Sequence, residues 1–163
     1  MSIEYTKPLD PDFYKTAVER VKFAHWTAKH LGRDKIFVAF SGGKDSVALY
    51  GVVKKAAEEE NIPLNEYAHI FYNLTTVDPP ELVRFIKVEY PLVDVLKPKY
   101  SMWQLIERHN IPPTRLVRYC CQELKERTIE GEVLLTGVRW AESAQRAKRR
   151  GTYEVAPPIR KKE

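Results

Sequence analysis

Ile36-Phe37-Val38-Ala39-Phe40-Ser41-Gly42-Gly43-Lys44-Asp45-Ser46-Val47-Ala48-Leu49 carries five apolar residues straight into Ser-Gly-Gly-Lys-Asp-Ser, and a helical apolar pattern follows at once. Strand, glycine turn and helix start in that order make an anion site. The first N–H groups of a helix have no partner inside it, and the helix dipole favours negative charge there. Gly42 and Gly43 remove side chains where the backbone turns sharply and approaches a ligand. Ser41 and Ser46 add hydroxyl donors and Lys44 adds positive charge. Asp45 is placed to cap the helix or to hold a metal ion. The spacing is neither the Walker pattern nor Gly-x-Gly-x-x-Gly.

On either side of this stretch, helices and strands alternate. A helix is expected over 11–30, capped by Asp10 and stopped by Gly32, with Tyr14, Ala17, Val18, Val21, Ala24, His25 and Ala28 at helical spacing. The first strand covers 36–40. Helix 46–60 follows, stopped by Asn61 and Pro63. Strand 67–72, helix 79–89 capped by Asp78, strand 92–96 and helix 101–109 capped by Ser101 come next. A loop over 110–118, a short helix over 121–128, strand 133–138 and helix 141–150 complete the pattern. Such alternation predicts a three-layer α/β/α, Rossmann-like domain with a mostly parallel twisted sheet, ligands sitting at the carboxyl ends of its strands. The whole chain, 1–163, is expected to be one domain, with helix 11–31 at its start and a basic, flexible tail over 151–163.

Three strand ends are polar and would converge: 41–46, then Asn73-Leu74-Thr75-Thr76-Val77-Asp78, then Thr136-Gly137-Val138-Arg139-Trp140-Ala141-Glu142-Ser143. In the last, Gly137, Arg139, Glu142, Ser143 and Arg146 form Gly-x-Arg-x-x-Glu-Ser-x-x-Arg. Arginine forks match phosphate or sulfate oxygens bidentately, and Glu142 is placed to orient Arg139 or to accept from a ribose. The plain alternative is an exposed helix with Glu142 and Arg146 paired at i,i+4.

The bulk properties read as those of an intracellular, cytoplasmic protein. The chain has 163 residues, 44% hydrophobic and 30% charged, enough for one core. No apolar run approaches the ~20 residues that span a bilayer, and the first residues lack a signal-peptide pattern. Net charge is +5, with Lys148, Arg149, Arg150, Arg160, Lys161 and Lys162 crowding the end. That balance suits a phosphate-rich ligand and leaves nucleic acid open as a partner. The two cysteines, Cys120 and Cys121, are adjacent, which excludes a disulfide scaffold. Their ordinary reading is buried thiols. His25, His30, His69 and His109 show no metal spacing. Trp26, Trp103 and Trp140 read either as exposed aromatics that mediate association or, more commonly for Trp, as core or pocket wall.

The loop resembles the pyrophosphate (PP) loop of the adenine nucleotide alpha-hydrolase-like superfamily. With segments 73–81 and 137–146, and more weakly Arg118-Tyr119-Cys120-Cys121-x-x-Leu124-Lys125, the chain resembles the phosphoadenosine phosphosulfate (PAPS) reductase branch. The resemblance implies phosphate binding at Ser41, Gly42, Gly43, Lys44, Asp45 and Ser46, and adenine recognition at Tyr72 and Asn73. It places Lys125, Gly137, Arg139, Glu142 and Arg146 toward the sulfonucleotide end. The implied ligand is PAPS or adenylylsulfate (APS), with a thiol reductant as partner. Reductases of the branch attack sulfur with a cysteine beyond the arginine motif. Here no cysteine follows Cys121, so Cys120 or Cys121 becomes the candidate nucleophile. For the same reason an iron–sulfur cluster is not expected.

Two other readings stand beside this one. The first is an ATP pyrophosphatase forming AMP and pyrophosphate, with Mg2+ on Asp45 and Lys44, Lys125 and Arg139 stabilising charge. The second is a compact, non-catalytic nucleotide-binding module that works with a second subunit or as a homodimer.

Overall fold

The computed structural model describes residues 11–125 and 132–137. The expected cap Asp10, the end of the short helix at 126–128, Val138, helix 141–150 and the tail 151–163 lie outside the described residues. In chain order the elements are α1 (Pro11–His30), β1 (Ile36–Ala39), α2 (Lys44–Glu59), α3 (Leu64–Tyr67), β2 (Ala68–Asn73), α4 (Pro80–Glu89), β3 (Val93–Leu96) and α5 (Met102–His109). A π-helical turn (Cys121–Lys125) and β4 (Leu134–Thr136) follow.

Among the described residues the sheet has four strands, all parallel, in the order β3-β2-β1-β4. Ile36 faces Ala68, Val38 faces Leu135, and Ile70 faces Val93. Parallel neighbours need a crossover, and crossovers are right-handed, so two steps in the same direction put their helices on the same face. The core follows that rule. Ile36, Val38, Phe40, Ala68, Ile70, Tyr72 and Val93 project to one face. There they meet Val53, Ala56 and Ala57 of α2, Ile86 of α4, and Val18, Val21 and Ala28 of α1. Each fully buried Ile or Val in this layer contributes about 1.5–3 kcal/mol relative to exposure. The opposite parity of β2 ends in Asn73, whose amide donates to the Lys125 carbonyl at 3.0 Å. That bond sets the π-helical turn on the second face. A smaller cluster of Leu105, Tyr119 and Leu124 joins α5 to the turn. The result is an α/β/α, Rossmann-like fold whose strand order reverses between β1 and β4.

Several boundaries differ from the sequence expectation, each for a local reason. α2 starts at Lys44 rather than Ser46, because Gly43 is extended (φ −79°, ψ 159°) and its carbonyl accepts from Val47 N–H at 3.0 Å. α3 has only four residues, too few to show a period. The Pro63 carbonyl nucleates it by accepting from the N–H groups of Glu66 and Tyr67, both at 2.9 Å. Asp78 does not cap α4. Pro79 is the cap residue, and the Asp78 carboxylate turns back to accept from Thr75 N–H at 2.6 Å. Trp26 and Trp103 are not core residues, being 54% and 72% exposed. Trp26 lies away from the buried stripe of α1 and packs on Phe23 and His30. Trp140 lies outside the described residues.

The cap of α5 matches its expectation. Ser101 Oγ accepts from Gln104 N–H at 3.3 Å, and Gln104 Oε1 accepts from Ser101 N–H at 2.8 Å. Ser101→Ala breaks this capping box and should cost about 1 kcal/mol. Urea unfolding monitored by circular dichroism reads that loss, and an unchanged midpoint would mean that the box contributes nothing.

Candidate functional site

The site is built where β1 runs out. Phe40 N–H still donates to Phe71 O at 2.8 Å, and the chain then turns. Gly42 takes a left-handed conformation (φ +72°) that side chains resist. A Cβ there would lie 2.6 Å from Leu82 Cδ1 and 3.4 Å from Ile86 Cδ1, so the turn presses directly on α4. The two serines frame the loop. Ser46 Oγ donates to Gly43 O at 2.8 Å and accepts from Ser41 N–H at 3.2 Å and from Ser41 Oγ at 3.1 Å. Ser46 is only 5% exposed, so its hydroxyl serves the loop's shape. Gly43 N–H points back to Ser41 Oγ at 3.4 Å. No side chain caps α2, and Asp45 stands in its first turn. An uncapped helix start with an exposed lysine, Lys44, at its first position offers backbone donors and the helix dipole to an anion.

The end of β4 closes on the same place. Thr136 is in register with Ala39, and Gly137 follows it. A Cβ on Gly137 would lie 2.8 Å from Asp45 O, 3.0 Å from Asp45 C and 3.3 Å from Ser46 N. Residues far apart in sequence therefore touch, backbone to backbone, at the reversal of strand order, where open parallel sheets bind ligands. Arg139, Glu142 and Arg146 lie outside the described residues.

The end of β2 forms the next wall. Thr76 is left-handed (φ +66°), and its hydroxyl accepts from Met102 N–H at 2.9 Å at the start of α5. Tyr72 and Asn73 diverge. Tyr72 points into the core between sheet and helices, 4% exposed, and its hydroxyl has no hydrogen-bond partner of good geometry. Burial pushes its phenol pKa well above the usual range, and the Asp78 carboxylate adds to that. Asn73 points the other way and holds the Lys125 backbone, which brings these two candidate site residues together. A shallow groove of about 620 Å3 beside this end is lined by Leu74, Thr76, Asp78, Val83, Arg84 and Lys87. Sequence reasoning missed Leu82 and Ile86 as the wall beneath Gly42. Their i,i+4 spacing in α4 was the available signal.

Cys120 and Cys121 lie at the start of the π-helical turn, each partly exposed. Arg118 Nη2 donates to Cys121 Sγ at 3.4 Å. Burial raises the Cys120 thiol, with Cys121 beside it adding to the shift. Among the described residues no group of three or more His, Cys, Asp or Glu side chains could hold a metal ion. Asp45 alone suits only a cation shared with a ligand's phosphates. No helix among the described residues is long and apolar enough to cross a membrane.

A family model described as the phosphoadenosine phosphosulfate reductase domain matches residues 35–154. No curated protein and no solved structure matches the chain.

Proposed function

The chain belongs to the phosphoadenosine phosphosulfate reductase domain family, and on that premise we propose that it binds a sulfonucleotide, PAPS or APS, across the carboxyl ends of β1, β2 and β4. Nucleotide binding of the PAPS-reductase kind comes with the family; the ligand, the residues and the reaction are the proposal. The observation that carries it is the uncapped start of α2, shaped by Ser41 and Ser46 and in backbone contact with Gly137.

In this reading the phosphates take the N–H groups at the start of α2 and the Lys44 charge. The adenine lies by Asn73. Lys125, Arg139 and Arg146 neutralise the sulfonucleotide end, and Glu142 orients Arg139. Catalysis rests on holding the sulfur group for attack by a thiol and on neutralising the departing phosphate. A cytoplasmic setting and a thiol reductant go with it.

Calorimetric titration with PAPS, and separately with ATP plus Mg2+, tests this. PAPS is expected to bind more tightly. Lys44→Ala removes a charged donor, and such a contact is worth about 1.5–3 kcal/mol, so affinity should fall about tenfold or more. A preference for ATP would move the chain to pyrophosphate release, with Asp45 sharing Mg2+ with the phosphates. Binding of neither nucleotide overturns the proposal.

A further inference from the structure

The π-helical turn on the second face of the sheet carries the chain's two cysteines at its start. Pro113, Thr114, Arg115, Arg118, Cys120 and Cys121 line one cavity of about 550 Å3. Two cations and two thiols thus share a space large enough for a small ligand. The cysteines are not equivalent there. Arg118 Nη2 donates to Cys121 Sγ at 3.4 Å. Burial raises the Cys120 thiol. Arg118 thus places a positive charge beside the Cys121 sulfur, where it draws anionic reagents. The acidic residue of the same turn, Glu123, has a carboxylate oxygen 3.6 Å from His109 Nε2. Thr114 and Val117 close the preceding loop on each other: Thr114 N–H donates to Val117 O and Val117 N–H to Thr114 Oγ1, both at 3.0 Å. That loop positions Arg115 and Arg118 at the cavity wall.

We propose that Cys121 is a thiol-exchange site, selective for small anionic disulfides of the glutathione class, with Arg118 as its positioning residue. Cys121 gives its proton to solvent, and the thiolate attacks one sulfur of the disulfide. The new Cys121 Sγ–S bond forms as the reagent's S–S bond breaks, and the other half leaves as a thiolate. Cys121 is oxidised to the disulfide level and one half of the reagent is reduced, so no further oxidant is needed. The arginines favour reagents that carry carboxylates, because charge lining a cleft raises the local concentration of the opposite charge. Cys121 is one of the two candidate nucleophiles of the sulfonucleotide reading, but none of the cavity residues belongs to the α2 start or to Gly137, so thiol exchange and nucleotide binding can fail independently.

The chain's two cysteines make the test clean. Oxidised glutathione and dithiobis(nitrobenzoate) serve as anionic probes, and dithiodipyridine as the neutral one. Modified sites are read by peptide mass spectrometry and folding by circular dichroism. Cys121 is expected to react about tenfold faster than Cys120 with the anionic probes. Cys120→Ser should keep the fast phase and Cys121→Ser should abolish it. Arg118→Gln should slow the anionic probes about tenfold while changing the neutral one much less. If that variant fails to fold, Arg115→Gln must show the same anionic bias to a smaller degree. Faster modification of Cys120, or an equal effect of the arginine change on both probe types, overturns the proposal.

Discussion

Gly137→Ala should weaken nucleotide binding about tenfold or more and cost about 1–3 kcal/mol of stability, the usual range for overpacking a tight site. The added methyl would sit 2.8 Å from the carbonyl oxygen of Asp45 and 3.0 Å from its carbon. Both are backbone atoms in the first turn of a helix, so neither can swing aside as a side chain would. Relief requires β4 to move from β1 or the start of α2 to tilt, and either displaces the N–H groups proposed to hold phosphate. Gly51→Ala is the control. Gly51 lies in α2, where a Cβ meets nothing within 4 Å, so alanine there should stabilise by about 0.5–1 kcal/mol. Urea unfolding and calorimetry on the two variants separate a steric effect at the reversal of strand order from a general effect of replacing glycine. If Gly137→Ala binds PAPS like the parent chain, the contact does not shape the site.

How legible the site was depends on whether its parts are contiguous. The turn at 41–46 could be read directly, because strand, glycines, charge and helix start follow one another in the chain. The pairing of β1 with β4 could not. Nothing in Val133-Leu134-Leu135-Thr136-Gly137 states which edge it joins, and the contact of Gly137 with Asp45 exists only after that choice. Asp78 misled for a related reason. An acidic residue before Pro79 and Pro80 looks like a helix cap, but prolines have no N–H to offer it. The carboxylate therefore turned back to Thr75. Tyr72 and Asn73 are neighbours on one strand end. Strand alternation sends them to opposite faces, one into the core and one to the Lys125 backbone.

Gly42 is the second position where a single methyl should have a large effect, and here two causes can be separated. The left-handed backbone at φ +72° costs an alanine about 1–2 kcal/mol. The Cβ would also meet Leu82 Cδ1 at 2.6 Å, adding up to about 1–3 kcal/mol if Leu82 cannot shift. Unlike the obstacle at Gly137, Leu82 Cδ1 is the end of a flexible side chain, so part of this second cost is recoverable. A double-mutant cycle with Leu82→Ala measures that part, since only the steric term depends on both residues. Gly42→Ala alone should destabilise by at least the conformational cost. In the Leu82→Ala background the added cost of Gly42→Ala should shrink toward that same value. Gly42→Asn supplies the complementary test, because asparagine tolerates the left-handed region better than alanine but is bulkier. It should lose less to backbone strain and more to Leu82. An effect of Gly42→Ala below about 0.5 kcal/mol, the scatter of ordinary surface changes, would show that the turn relaxes freely. The loop would then not be held rigidly enough to present a fixed set of N–H donors to phosphate.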